Sequence, residues 1–467
     1  MRNLPKTEIR DGPVPDRAQQ NGGPVLDDEV AAGELAPAVE TVPVAAPATA
    51  SVEVLTLRPQ LTASPRHPLR RANGFTLSVI IGCVVALVLN LTGREVHPYL
   101  GWSGTGTITA GSRPPAPMPP TLTVPATFTV PGTLDLDWPA GGESALAVEG
   151  VGTMATNGPA DVPVPIASVT KTMTAFLILK DHPMAPDAPG ATLTVEGAEA
   201  DAYPQEAALD QSLVPVKSGE VLTEQQALQA LMLASADNVA QILGRWDAGS
   251  DGAFVAEMNA EAAALGMADS HFTDPSGYDP GTRSSANDLI KLGEAAMKVP
   301  AFAQIVAEPS ASVPIAGTIA NYNKLLGNDG VVGIKTGSTA AAGGCLLFAA
   351  TDEVDGHGVT VIGVVLGAPG KTADEALKNV LVESAELLAS AESALSVATV
   401  ATRGKSVAKT GGGTDLLGPA QDTAVVGWPG LTFTLKTALV SGRPTLDIAV
   451  PGGGVQATTR LTAIHGT

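Results

Sequence analysis

At 467 residues the chain is too long for one ordinary domain, so two folded units joined by unstructured segments are expected. Its 47 Asp and Glu outnumber 27 Lys and Arg, and the formal net charge of -20 excludes a nucleic-acid partner held by basic patches. Cys83 and Cys345 offer no disulfide framework and the six histidines lack the close spacing of metal ligands, so neither a metal nor another cofactor is expected.

In chain order, residues 1–72 are rich in Pro, Ala, Gly and acidic side chains without periodicity, the composition of a disordered tail. Residues 73–93 contain the uncharged run Gly74–Thr92, about the length a bilayer core requires. Arg66, Arg70 and Arg71 precede it and only Arg94 follows closely, which places the N-terminus in the cytoplasm and the rest outside. A cleaved signal peptide is the competing reading, but its charged leader is short, whereas a long segment stands ahead of this run. The expectation is a single-pass membrane protein with one N-terminal helix. Residues 94–137, with Pro114, Pro115, Pro117, Pro119 and Pro120, read as a semi-stiff linker.

Folded structure is expected over 138–392. Ser144–Val148 and Gly152–Thr156 flank the turn signal Glu149-Gly150 as a hairpin. Ala167–Lys180 changes to a helical period, with Met173, Leu177 and Lys180 on one side and Pro165 just ahead. Thr223-Glu-Gln-Gln226 is a capping box opening a helix that runs into Ser235, and Ser285-Ala-Asn-Asp288 opens another. Strands return at Val331–Thr336, Cys345–Ala350 and Val359–Leu366, and a helix from Thr372 to Leu388 closes the unit. Strands at both ends of a helical block predict an α+β unit, one antiparallel sheet covered by helices. Residues 393–467, including Thr432–Val440 and Thr445–Val450, read as a small all-β domain.

Three strings carry the chemistry: Ser168-Val-Thr-Lys171, Ser235-Ala-Asp237 and Lys335-Thr-Gly337. A serine hydroxyl is a poor nucleophile until a base removes its proton, and a desolvated lysine one turn away can do so. Ser168 stands at a helix start, where free N–H groups favour an oxyanion, and a second cation, Lys335, favours the neutral form of Lys171. An ordinary helix cap with a solvated lysine would explain the first string alone, but not all three in order. Ser406-Val-Ala-Lys409-Thr-Gly411 superimposes two of the patterns on one lysine, among glycines and with no helix behind it, and reads as a turn.

On Pro165–Ala175, Leu231–Asn238, His271–Gly277 and Asp329–Ser338 the chain resembles the serine-type D-alanyl-D-alanine carboxypeptidases, low-molecular-mass penicillin-binding proteins. The resemblance covers about 138–390 and implies a penicillin-binding, β-lactamase-like transpeptidase fold, often followed by a small β domain. It further implies that Ser168 attacks between the last two D-alanines of a peptidoglycan stem peptide, and that β-lactams acylate the same serine. Lys171 would be the base and Ser235 the proton relay. Lys335 and Thr336 would hold the terminal carboxylate, Asp237 and Gly337 would join them in the substrate-binding site, and the N–H groups of Ser168 and Ser338 would form the oxyanion hole.

One position departs from the family's Ser-x-Asn, since Asp237 is followed by Asn238. A carboxylate beside Lys171 favours the ammonium and opposes base catalysis. A second cation could offset it, Asp237 could be protonated, or a turn could bring Asn238 in; helix register favours Asp237 in the site. The rivals are a catalytically weak or inactive membrane-anchored cell-wall protein and a β-lactamase-like hydrolase. No Glu-x-x-Leu-Asn segment supports the last, and no Gly-x-Ser-x-Gly elbow supports a Ser-His-Asp hydrolase.

Overall fold

The computed structural model describes residues 118–451 and 453–464. The expected tail and apolar run, 1–72 and 73–93, lie outside them, as does 94–117 of the expected linker. Among the described residues no helix is long and apolar enough to cross a membrane.

Alternation along the central strands decides the architecture. Strands β1 (Glu143–Val148), β2 (Gly152–Asn157), β3 (Val331–Thr339), β4 (Gly343–Val354) and β5 (His357–Ala368) form one antiparallel sheet in the order β3-β4-β5-β1-β2. On β4, Cys345, Leu347 and Ala349 face one apolar core while Leu346, Phe348 and Ala350 face a second. Both faces of the sheet are therefore buried, which is why its strands read as nearly continuous apolar runs. The expected hairpin is β1 and β2, and the distant C-terminal strands join it through the β5–β1 ladder, in which Ile362 pairs with Ala147.

The first core is covered by α1 (Lys171–Asp181), α2 (Gly197–Ala208), α3 (Glu224–Met232), α4 (Asp237–Ala248), α5 (Asp251–Ala264), α6 (Ala286–Met297) and α7 (Pro300–Ala307). Thr223 caps α3 and Ser285 caps α6, each by accepting a backbone N–H three residues on. The expected stripe on α1 gives way to burial all round, from Lys171 through Leu179, because this helix runs through the middle of the block. Lys180 and Asp181 at its end reach solvent, and Lys180 pairs there with Glu261. The helix expected to run into Ser235 stops at Met232, and Ser235 adopts a left-handed φ of 59° before α4 begins at Asp237.

Helix α8 (Ala373–Ala394) covers the second face with Val380, Leu387 and Leu388. The C-terminal β segment supplies Trp428 to the same core, so the two regions share apolar contacts. That segment carries a seven-stranded sheet closed at its ends by Thr121–Leu122 and Thr127–Thr129. Part of the stretch expected as linker is thus a component of the β module: Phe128 pairs with Phe433 and Thr121 with Lys409. The decoy string at 406–411 lies in this module, with Lys409 exposed on a two-residue strand.

Phe348 lies across Gly363 of the neighbouring strand, and a Cβ at 363 would stand 2.0 Å from its ring. Gly363→Ala is expected to cost about 1–3 kcal/mol by overpacking, read as a melting temperature several degrees lower. An unchanged melting temperature would contradict this packing.

Candidate active site

Ser168 lies in a single 3-10 turn, Ala167–Thr170, that leads into α1, so the expected helix start is one tighter turn of helix. Its side chain is part-exposed, while Lys171, one turn on, is fully buried. The Lys171 Nζ meets three oxygens: Ser168 Oγ at 2.9 Å, Asp237 Oδ1 at 2.5 Å and the Ser276 carbonyl at 2.9 Å. An amine has two N–H groups and an ammonium has three. When Lys171 is neutral, Asp237 and Ser276 take both N–H groups and the lone pair is left for the Ser168 hydroxyl. When it is charged, all three oxygens accept.

Asp237, not Asn238, occupies the site. Its second oxygen, Oδ2, accepts the Ser212 N–H at 2.9 Å, and its own N–H donates to Ser212 O at 2.7 Å. Asn238 turns to the Val214 backbone, donating to its carbonyl at 2.8 Å and accepting its N–H at 3.3 Å. Two donors, Lys171 and Ser212, therefore converge on residue 237. A carboxylate satisfies both with acceptors, whereas an amide would set its NH2 against one of them. This local demand is a structural reason for Asp at the position.

The loop after α5 supplies the Ser276 carbonyl. Asp274 Oδ2 gathers the N–H groups of Ser276, Gly277 and Tyr278 at 2.8–3.1 Å, and its Oδ1 accepts the Thr282 hydroxyl at 2.6 Å. Thr174 of α1 donates to Pro275 O at 2.6 Å and ties the loop to the helix that carries Lys171. Residues 271–277 carried a matching string, but only side chains elsewhere drew a role; the group at work here is a backbone carbonyl.

The third string runs along β3 beside the serine. A Cβ at Gly337 would come within 2.8 Å of Ser168 N and 3.1 Å of the Ala167 Cβ, so a glycine is what lets strand and turn approach this closely. Lys335 is buried and donates to the Thr336 carbonyl at 3.0 Å. Burial first, and the charge of Lys171 second, hold its pKa well below the ordinary lysine value, while Asp237 acts the other way. Thr336 is buried and Ser338 part-buried, paired with Gly344. Ser235 is buried in the turn that leads into Asp237.

Glu206 at the end of α2 is a buried carboxylate that no sequence pattern singled out. Burial, then the charge of Asp237, raise its pKa above the usual glutamate value, and its Oε2 has no hydrogen-bond partner. Among the described residues one carboxylate cluster, Asp181, Asp247 and Glu257, brings oxygens within 4.8 Å of one another. The His182 ring already engages Asp247 at 2.8 Å, and the cluster shares no residue with the serine site.

Known proteins match the chain over the unit that carries these three strings. A profile of the D-alanyl-D-alanine carboxypeptidase family matches residues 141–370. The D-alanyl-D-alanine carboxypeptidase of Streptomyces strain K15 is 32% identical over 243 residues, which cover 48% of this chain and 80% of that protein. The chain belongs to the D-alanyl-D-alanine carboxypeptidase family. The carboxypeptidase DacB2 of Mycobacterium tuberculosis is 45% identical over 136 residues, 28% of this chain, and the match spans less than half of that relative, 46% of its length. In fold, the chain is similar to a peptidoglycan synthesis regulatory factor (PBP3) of Streptococcus pneumoniae, with a TM-score of 0.54 at 19% identity over 70% of this chain and 99% of that one. The penicillin binding protein 5 of Haemophilus influenzae gives 0.50 at 21% identity over 72% and 98%.

Gly337→Ala is expected to displace the Ser168 turn. A misplacement on the order of 1 Å costs about 100-fold in rate, read as slower acylation by a fluorescent penicillin in rapid-mixing kinetics. Wild-type acylation rates in this variant would contradict the close approach described.

Proposed function

We propose that this chain is a serine D-Ala-D-Ala carboxypeptidase that removes the terminal D-alanine of peptidoglycan stem peptides. The observation that carries the reading is the Lys171 amine 2.9 Å from Ser168 Oγ, with two further acceptors for its N–H groups. The substrate lies extended along β3, its carboxylate at Lys335 and Thr336 and its scissile carbonyl oxygen between the N–H groups of Ser168 and Ser338. Burial and the charge of Lys171 disfavour the Lys335 ammonium, and the arriving carboxylate supplies the counter-charge that favours it.

Ser168 Oγ then attacks the carbonyl carbon as its proton passes to Lys171. The C–N bond breaks, Ser235 relays a proton to the departing amine, D-alanine leaves, and water hydrolyses the ester to restore Ser168. β-Lactams acylate the same oxygen. Charge on Lys171 opposes this sequence, and Asp237 favours that charge, so a slow or catalytically weak member of the family is the second reading.

The uncharged run Gly74–Thr92 and the arginines before it support an anchor that leaves residues 94–467 on the outer side of the cell membrane. There the site would meet cell-wall peptides.

Ser168→Ala is expected to lower D-alanine release from a stem pentapeptide by about 10,000-fold or more and to abolish labelling by a fluorescent penicillin. Absence of a covalent adduct on Ser168 in the wild-type protein would overturn the enzyme reading.

A further inference from the structure

Tyr278 is exposed in the loop after α5, and its hydroxyl donates to the Leu209 carbonyl at 2.7 Å. Leu209 caps the C-terminus of α2, where carbonyls have no partner within the helix. A plain tie at a helix end would account for this bond by itself. Its place between two segments that both reach Lys171 gives it a further consequence.

One segment is the Tyr278 loop. Two residues before the tyrosine, the Ser276 carbonyl accepts from Lys171 Nζ. The other segment leaves α2. Three residues after Leu209, the Ser212 N–H donates to Asp237 Oδ2, and Asp237 Oδ1 meets the same lysine nitrogen. A closed ring of contacts results, running from Lys171 through Ser276, Tyr278, Leu209, Ser212 and Asp237 back to Lys171.

The two halves of this ring are not equally held. In the loop, Asp274 gathers three N–H groups, Thr174 holds the Pro275 carbonyl, and Asn259 both donates to and accepts from the Phe272 backbone. A Cβ at Gly277 would collide with the Ala167 carbonyl, so the loop is also packed against the turn that carries Ser168. By contrast, residues 207–210 are all exposed, and Asp210 takes a left-handed φ of 56° without being a glycine. A non-glycine residue keeps such a conformation where its surroundings fix it. Among the described residues, the hydrogen bond that ties 207–211 to another element is the one from Tyr278. Support therefore passes from the loop, through the tyrosine, to the segment that carries Ser212.

We propose that Tyr278 is a positioning residue for acylation: by holding the end of α2 it keeps Ser212 on Asp237, and Asp237 on the nitrogen that takes the Ser168 proton. The proposal rests on the carboxypeptidase reading above, and its test uses the full chain. Acylation of Ser168 by a fluorescent penicillin is followed by rapid mixing over a range of concentrations, which separates the dissociation constant of the first complex from the acylation rate constant. Tyr278→Phe keeps the ring and loses the donor. Since a misplacement on the order of 1 Å costs about 100-fold, the smaller shift expected here lowers the acylation rate constant about tenfold and leaves the dissociation constant unchanged. In Asp237→Asn one of the two bonds at residue 237 is lost whichever way the amide turns. The same tyrosine substitution is therefore expected to change the rate constant by less than about twofold in that background.

The rate constant belongs to the molecules that react, so a smaller folded fraction lowers the labelled amplitude and leaves the constant as it was. A wild-type rate constant in Tyr278→Phe, a loss confined to the dissociation constant, or a loss of about tenfold that persists beside Asp237→Asn would each overturn the positioning role while leaving the carboxypeptidase intact. No labelling of Ser168 in the wild type would overturn the underlying reading and this role with it.

Discussion

The site depends on one buried nitrogen. Lys171 Nζ is shared among a hydroxyl from the preceding turn, a carboxylate at the start of α4 and a carbonyl from the loop after α5. Three chain segments far apart in sequence converge on it, and none could shift without leaving a buried polar group unpaired. Removing one partner of a buried ion pair costs about 3–5 kcal/mol. The Lys171–Asp237 pair, with side chains 0% and 5% exposed, is therefore a constraint on the fold as well as on the chemistry.

The same nitrogen sets a conflict that the surroundings moderate. Asp237 places a carboxylate against the Lys171 nitrogen, while Lys335 places a second basic group near it. Asp237 is held in place by Ser212 from the other side, so its charge is tied to the course of the loop between α2 and α3. The helical block and the sheet are the frame for this balance: α1 is buried from Lys171 through Leu179, and β3 can press against the Ser168 turn only because residue 337 has no side chain.

What the sequence made legible was local. The hairpin, the caps at Thr223 and Ser285, and the two strings that bracket Ser168 and Lys335 each depend on a few neighbouring residues, and each stands where its pattern pointed. Long-range and backbone contributions were not legible. The break at Ser235 has no glycine to announce a left-handed φ, and the Ser276 carbonyl and Ser212 N–H have no side-chain signature. Residues 121–129 looked like linker because their partners lie some three hundred residues away, in strands that alone complete the pairing. Asp237 was legible as a misfit; its second donor, Ser212, was not.

The central claim is that the Asp237 carboxylate is coupled to the proton on the Lys171 nitrogen. The direct measurement is the pH dependence of Ser168 acylation by a penicillin, in the wild type and in Asp237→Asn. With the carboxylate gone, the ammonium loses its ion-pair partner and the acidic limb of the profile moves to lower pH. An acidic limb that stays where it was in the wild type would contradict the account.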